Sequence, residues 1–463
     1  MTSDCASPLD IPAGVETLEL LLVDVSGVIR GKQIPAAQAS KLWDAGDGAS
    51  RVVMPRGTLF LDTRGFALDT VEYGVPDGDP DRLLLTLPQT LAPVPWADKP
   101  TWQVLTVVGD DDDKPWALNP RSVLEQVCSA FNAHNLKPVV AVELEFTLLD
   151  VSSDAPVGIT RSDQSTGSSA LKNFSGPQTY NLDLLTDFGD FLEQVEKACQ
   201  SQHLNIVGIT SEYAEGQFEI NLKHSQNVTD ACDQAVLLRR IVRHVADKCG
   251  YFATFMAKPV AGESGNGLHV HASLLNDKSG DNVFAFNSEN ANDMPDVMRH
   301  ALGGLQKLMP ESLALLAPNG NSYRRFIPHN FAPVQNDWGF DHRGVALRIP
   351  HERGSNTRIE HRIAGADANP YLVVAAVLAS MLHGIQNNLV PGQPTVGDVV
   401  PDDVVLLPAR WRESLDALAG SSALSDILGK HFCDVYLDVK RDEEERFHQI
   451  VASKDHEHYM RMM

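Results

Sequence analysis

Val139-Val140-Ala141-Val142-Glu143-Leu144-Glu145-Phe146-Thr147-Leu148-Leu149 is an apolar run interrupted only by two carboxylates. Successive side chains of an extended strand point to opposite faces, so Glu143 and Glu145 share one face and Val142, Leu144 and Phe146 the other. Neighbouring buried carboxylates repel and take up protons, so the pair needs Arg, Lys or a divalent cation between them. Taken alone, the pattern also fits the exposed edge of an ordinary strand.

The device recurs downstream. Ser211-Glu212-Tyr213-Ala214-Glu215-Gly216-Gln217-Phe218-Glu219-Ile220-Asn221-Leu222 reads as a turn feeding a short strand with Gln217, Glu219 and Asn221 on one face. Gly265-Asn266-Gly267-Leu268-His269-Val270-His271-Ala272-Ser273-Leu274 alternates His269, His271 and Ser273 against apolar neighbours, and Thr357-Arg358-Ile359-Glu360-His361-Arg362-Ile363 aligns Arg358, Glu360 and Arg362. Carboxylate and imidazole together suit Mg²⁺ or Mn²⁺, and the lack of thiolate clusters argues against zinc.

At 463 residues the chain exceeds one ordinary core, and at least two domains are expected. Its 43% hydrophobic and 21% charged composition is that of a soluble globular protein. A net charge of −23 disfavours nucleic acid and anionic membranes as partners and is compatible with a cationic substrate. Cys5, Cys128, Cys199, Cys232, Cys249 and Cys433 form no CxxC pair, which points to reduced thiols in a cytoplasmic compartment. No stretch approaches the roughly 20 apolar residues of a membrane span, and no basic-then-apolar leader is evident.

Outward from the central strand, Leu18 to Val25 turns through Ser26-Gly27 into Val28 to Pro35, a hairpin pattern. Short apolar runs at 52–54, 59–61 and 83–87 continue a β-rich region to Asp110-Asp111-Asp112-Asp113, which reads as a solvated turn rather than a metal site. Residues 1–113 are therefore assigned to a small N-terminal domain and 114–463 to a larger one. Asn119-Pro120 opens a helix. Val151 to Thr179 reads as a long loop ending at Tyr180. Helices follow over Phe188–Gln202, Asp230–Cys249, Ala291–Leu316 and Pro370–Asn388, with an amphipathic pair from Val439 to Met463. Arg239, Arg240 and Arg243 are read as the solvated face of their helix. Alternating strands and helices behind a β-rich start imply α+β, with the polar strand faces gathered in one curved sheet.

These motifs, in this order, together with Lys258-Pro259, Asn321-Ser322-Tyr323-Arg324-Arg325 and Gly365-Ala366-Asp367-Ala368-Asn369-Pro370-Tyr371, resemble the bacterial glutamine synthetases. Val23-Asp24-Val25-Ser26-Gly27-Val28-Ile29-Arg30-Gly31-Lys32 is similar to the opening of that family's small β-grasp domain, so the resemblance runs nearly end to end. It implies a β-grasp domain followed by a catalytic domain whose curved antiparallel sheet is flanked by helices. It also implies an ATP-dependent ligase that phosphorylates the γ-carboxylate of glutamate and lets a nitrogen nucleophile displace the phosphate. The absence of a Gly-x-x-x-x-Gly-Lys-Ser/Thr loop agrees, since divalent ions and arginines must then hold the triphosphate.

By the resemblance, one ion (Mg²⁺ or Mn²⁺) is held by Glu145, Glu212 and Glu219 and a second by Glu143, His269 and Glu360. His271 is then a phosphate contact rather than a ligand, with Ser273 beside it on the nucleotide side. Arg325, Arg362 and Gly265 match positions that hold glutamate. Arg343, Arg348 and Arg358 match arginines around the transferred phosphoryl group and nucleotide, where a planar fork suits phosphate oxygens. The resemblance further implies a homo-oligomer of two stacked hexameric rings, each active site completed by the neighbouring subunit's small domain.

Two departures bear on the nucleophile. Ammonia-using members carry a Glu in the loop after Asn-Ser-Tyr-x-Arg, and here Phe331 stands there; a phenyl ring accepts no proton. Their Asp-Gly-Ser-Ser motif is replaced by Gly48-Ala49-Ser50-Arg51-Val52-Val53-Met54-Pro55. The pattern is similar to the γ-glutamylpolyamine synthetases, whose nucleophile is a larger amine, with Tyr180, Glu215 and Phe331 as candidate amine contacts. An ammonia-dependent glutamine synthetase and a noncatalytic ring protein remain the alternatives. The noncatalytic reading is disfavoured because all six metal-ligand positions hold competent residues.

Overall fold

The computed structural model describes residues 8–43, 51–150, 157–159, 179–328 and 331–462. Its first sheet is built from β1 (Thr17–Val23), β2 (Ile29–Pro35), β3 (Val53–Pro55), β4 (Asp81–Thr86), β5 (Ala92–Pro93) and β6 (Thr101–Val108). The strand order is β2-β1-β6-β4-β3, with β5 on β6. The pair β1 and β6 is parallel, and β2 returns antiparallel to β1 through the hairpin expected from the sequence. The run at 59–61 is not a strand, because Arg56–Phe60 winds into a short 3₁₀ turn between β3 and β4. The four aspartates form an exposed turn in which Asp110 caps the backbone N–H groups of Asp112 and Lys114 at 2.9 Å.

Helix α1 (Pro120–Ala130) leads into the central strand β7 (Leu136–Asp150). The second sheet adds β8 (Val157–Gly158), β9 (Ile206–Ser211), β10 (Gln217–Leu222), β11 (Phe252–Thr254), β12 (Leu268–Asn276), β13 (Trp338–Phe340), β14 (Leu347–Ile349) and β15 (Ile359–His361). Its order is β13-β14-β15-β12-β7-β10-β9, with β8 and β11 on the far end of β7. All pairings are antiparallel except β13 with β14. In β7 the alternation is realised: Val142, Leu144 and Phe146 are fully buried, and Glu143 and Glu145 face the other way, half-buried. Burying each such apolar side chain contributes about 1.5–3 kcal/mol and fixes the register, since a one-residue slip would bring the carboxylates into the core.

Helices α2 (Leu182–Asp187), α3 (Gly189–Ser201), α4 (Val228–Lys248), α5 (Asp296–Leu316), α6 (Pro370–Gln386), α7 (Trp411–Ala419), α8 (Ser422–Leu428) and α9 (Lys430–His448) each bury a face in the surrounding layer, and α10 (Ser453–Tyr459) is exposed throughout. Helix α6 is apolar on nearly every side and buried along its length, and α5 crosses it at very close range. A Cβ on Gly304 would stand 2.1 Å from the Ser380 carbonyl oxygen and 2.7 Å from the Gly384 Cα, so only glycine permits the crossing. The Asn369 side chain caps α6 by accepting from Tyr371 N–H at 3.0 Å and donates to the Asp24 carbonyl at 2.9 Å, joining α6 to the end of β1. One contiguous apolar core runs from Leu9 to Val439.

Several expectations need correction. The terminal helix pair begins at Lys430, not Val439, because Gly429 at φ +97° separates α8 from α9. Ala291–Asp293 is a separate short turn, and α5 starts only after Pro295. Arg239 does not lie on a solvated face: it is 4% exposed and donates to the Ala368 carbonyl. Most of the segment 151–178 read as a loop, and Gly48, Ala49 and Ser50, lie outside the described residues. No helix is long and apolar enough to cross a membrane among the described residues.

Candidate active site

Three hydrogen-bonded neighbours, β10, β7 and β12, carry the polar stripes, and pairing aligns them. Glu219 lies opposite Glu145 and Asn221 opposite Glu143 on one side of β7, and His269 lies opposite Glu143 on the other. Beyond β12, Glu360 of β15 pairs with His271. Period-two alternation therefore places Glu143, Glu145, Glu219, His269, His271 and Glu360 on one surface.

His269 is the hub of that surface. Its Nδ1 lies 3.4 Å from Glu143 Oε2, 3.9 Å from Glu219 Oε2 and 4.0 Å from Glu360 Oε1, and its Nε2 lies 3.8 Å from Glu145 Oε1. Ligand atoms converge to within 4.8 Å in two groups, Glu143–Glu219–His269 and Glu143–His271–Glu360. The trio Glu145, Glu212 and Glu219 does not converge that closely, so the donors group differently from the two ligand sets implied by the family resemblance. His271 nonetheless fits a donor better than a ligand. Arg358 Nε donates to its Nδ1 at 3.1 Å, which leaves the proton of a neutral ring on Nε2, 2.9 Å from Glu143 Oε1.

The electrostatics divide the carboxylates into two kinds. Burial opposes ionisation of Glu360, but Arg362, His271 and His269 hold its carboxyl down at about 2. Arg348 donates to its Oε2 at 2.7 Å, and Arg362 donates to its Oε1. Glu143 is likewise held well below the usual range against burial, by His271 and His269. Burial, followed by the charge of Glu145, pushes Glu212 up to about 7. Burial and the charges of Glu143, Glu145 and Glu212 push Glu219 up to about 9. Glu212 and Glu219 are thus the groups whose affinity for a proton is raised, and hard oxygen donors around one imidazole fit a divalent ion of the Mg²⁺ or Mn²⁺ type.

Two cavities open on either side of this cluster. One, of about 450 Å³, is lined by Glu145, Glu212, His269, Gly265, Arg325 and Arg362, with Tyr180, Arg343, Tyr213 and Phe331 completing its wall. The other, of about 610 Å³, is lined by Glu143, His271, Ser273 and Arg358 together with Glu352 and Asn356. The residues matched to glutamate thus share one cavity, and of the five matched to the phosphoryl group and nucleotide, His271, Ser273 and Arg358 share the other while Arg343 lies with the glutamate residues. Arg348 lines neither, being occupied by Glu360 and by Asp341 Oδ1 at 2.6 Å. Glu215 also lines neither, and its carbonyl oxygen packs so tightly on Gly158 that a Cβ there would sit 1.9 Å away.

Within the smaller cavity each group is positioned. Gly265 has no room for a side chain, since a Cβ would meet the Ala257 carbonyl oxygen at 2.2 Å and Arg325 Cγ at 3.0 Å. Arg325 is buried and donates to the Ile363 carbonyl at 2.7 Å. Arg343 donates to the Tyr180 hydroxyl at 2.7 Å. Phe331, at φ +56° and 60% exposed, packs against Tyr213 with ring centroids 4.9 Å apart.

Gln217 and Asn266 hold this wall together, although nothing in the sequence singled out Asn266. The Gln217 amide donates at 3.1 Å to Glu145 Oε2, the Gly265 carbonyl and Asn266 Oδ1, and its oxygen accepts from Ala214 N–H at 3.1 Å. Tyr213 was also missed as a site residue. Its position beside Glu212 was the only signal.

Residues 117–459 match the family model for the glutamine synthetase catalytic domain. The γ-glutamylputrescine synthetase PuuA of Escherichia coli K12 is 37% identical over 95% of this chain and 90% of its own. The glutamate–isopropylamine ligase of a Pseudomonas species is 34% identical over 92% of this chain and 91% of its own. A glutamine synthetase of Halobacterium salinarum is 30% identical over 97% and 95%. Among solved structures, a GmaS–ADP complex superposes with a TM-score of 0.79 at 25% identity, covering 96% of this chain and 97% of that one.

Proposed function

The chain belongs to the glutamine synthetase family of ligases, and from that premise we propose that it joins the γ-carboxylate of glutamate to a primary amine, such as a diamine or short alkylamine, using ATP. The observation that carries the amine reading is the paired Phe331 and Tyr213 rings in the cavity that also holds Arg325 and Gly265. An aromatic wall favours an alkylammonium by apolar contact and cation–π attraction, whereas ammonium gains little from it. Two relatives, at 37% and 34% identity, are named for amine nucleophiles, which supports the same choice.

In this reading Arg325 and Arg362 hold the carboxylates of glutamate, with Gly265 leaving room for its backbone groups. Divalent ions bound by Glu143, Glu145, Glu212, Glu219, His269 and Glu360 would neutralise charge on the phosphates and on the phosphoryl group in transfer. Arg358 lines the larger cavity and donates to phosphate oxygens there, with His271 beside it in the same lining. Arg343, held by Tyr180, stands in the glutamate cavity where the acyl phosphate forms and is attacked, and stabilises charge at that centre. The incoming amine loses its proton to an acceptor on the cavity wall. The proposal includes a ring-shaped homo-oligomer, as the family resemblance implies.

The test is ADP release with glutamate and putrescine, isopropylamine or ammonium as nucleophile. A kcat/KM for one of the amines at least about tenfold above that for ammonium is expected from a contact of this strength. Equal or higher kcat/KM for ammonium would make the protein a glutamine synthetase in the strict sense. No ADP release with any nucleophile would favour the noncatalytic alternative.

A further inference from the structure

A third cavity, of about 580 Å³, lies between the turn after β1, helix α4 and helix α9, and shares no lining residue with the two catalytic cavities. Its charged lining is unevenly paired. Lys440 binds Glu443 at 2.7 Å, Arg64 lies 3.8 Å from Asp62, and Arg446 pairs with Asp442 outside the lining. Asp367 accepts from Asn319 at 2.7 Å and Ser322 at 2.8 Å. Arg239 and Arg243, one turn apart on α4, have no carboxylate within ion-pair distance among the described residues.

Both guanidinium groups flank the Phe255 ring, at 5.9 and 5.8 Å from its centroid. The buried Arg239 uses one nitrogen on the Ala368 carbonyl, and its Nε has no partner among the described residues. Burial and the neighbouring Arg243 push its guanidinium down to about 9, against the opposing charge of Asp367. A buried guanidinium with an unused N–H is costly unless a ligand supplies the acceptor. Phe252, Met256, Trp411 and Phe447 give the lining a large apolar area, with Ser26, Thr63, Thr254, Asn319 and Asn321 as its uncharged polar members. In a chain of net charge −23, a cavity with two unpaired arginines against an aromatic floor is out of character with the whole.

We propose that this cavity is a second ligand site, for a small oxyanion, carboxylate or phosphate, carried on an apolar body and held by Arg239 and Arg243. The planar fork of Arg suits either oxyanion, and a volume of this size accommodates a small organic molecule. The site communicates with the glutamate cavity through one residue. Met256 lines the anion cavity, and its carbonyl accepts from Asn266 Nδ2 at 2.9 Å; Asn266 Oδ1 in turn accepts from the Gln217 amide that also holds Glu145. A ligand that shifts Met256 therefore shifts the Glu145 wall.

The experiment is calorimetric titration of the full chain with benzoate and with phenyl phosphate, with benzyl alcohol as the neutral control, in the presence and absence of saturating glutamate and ATP. Saturable binding of at least one anion is expected, with none for the alcohol, and persistence when the catalytic cavities are filled. The variant R239M should weaken it at least tenfold. R243M, at an exposed position that bears no hydrogen bond to the fold, should do the same with basal turnover unchanged. The preferred anion identifies the source as carboxylate or phosphate. Absence of saturable binding, displacement by glutamate or ATP, or unchanged binding in R243M would overturn the proposal. So would a structure of the assembled protein with a second copy's side chains filling the cavity.

Discussion

Arg358 donates from Nε to Nδ1 of His271 at 3.1 Å, and its own Nη2 lies 3.3 Å from Glu352 Oε2. One arginine thereby sets the tautomer of an imidazole and is itself braced by a carboxylate. Replacing it by Ala removes a positioned donor and frees the imidazole to turn. For R358A, kcat is expected to fall by roughly 10²–10³, with a smaller change in KM for ATP. Steady-state kinetics decide it: a change confined to KM would make Arg358 a binder of ground-state nucleotide only.

The carboxylates of the cluster are expected to separate in stability. Glu360 is buried between Arg348 and Arg362, so E360Q leaves two arginines short of their counter-charge and should destabilise the protein by roughly 3–5 kcal/mol. Glu219 is surrounded by like charge, so E219Q should hold or raise the melting temperature in EDTA. Both should lose the stabilisation that added Mn²⁺ or Mg²⁺ gives the parent protein. Calorimetry with and without metal measures all of these. Loss of stability in E219Q equal to that in E360Q would contradict the division.

Phe331 and Tyr213 act as a pair, so their replacement should change nucleophile choice before it changes glutamate binding. F331E is expected to move the ratio of amine to ammonium turnover toward ammonium. Y213L should cost the amine reaction about 0.5–2 kcal/mol, or roughly twofold to thirtyfold in kcat/KM. An unchanged ratio in both variants would remove the aromatic wall from the account.

Asp24 offers a pH signature away from the metal cluster. Burial raises its carboxyl to about 6 from 3.8, against the pull of Arg30 at 2.9 Å. A carboxyl raised in the folded state binds its proton more tightly there than when unfolded. Its contribution is therefore full below the unfolded value and is lost as pH climbs through the folded one, a fall of about 3 kcal/mol between roughly pH 4 and 6. In D24N that segment of the stability curve should flatten relative to the parent. Denaturant titrations at pH 4, 5, 6 and 7 compare the two slopes, and parallel curves would refute the assignment.

What the sequence disclosed and what it hid follow from the range of the interactions. The alternation in β7 is local, so the faces of Glu143 and Glu145 could be read from eleven residues. Strands β13, β14 and β15 are three residues each, too short to display a period, and exist through pairing with β12 and one another. Helix α2, capped by Asn181 directly after Tyr180, has six residues and is too short to display a helical period in the sequence. Arg239 looked like surface because its neighbours Arg240 and Arg243 share its charge, and only packing of α4 against Phe255 and Ala368 buries it. Glu215 is close to Glu212 in sequence, but the turn at Gly216, with φ +67°, places it outside both cavity linings, a placement that depends on the backbone of the turn and is not visible in the spacing.

The Asn369 side chain, shared between the first turn of α6 and the Asp24 carbonyl, bears on how the molecule comes apart. Fraying of the N-terminal sheet would strip a polar anchor from the most deeply buried helix, and loosening of that helix would release the end of β1. This hydrogen bond, worth about 1 kcal/mol net, couples opening near residue 24 to loosening of α6, so proteolytic nicking there is expected to track the stability of that helix.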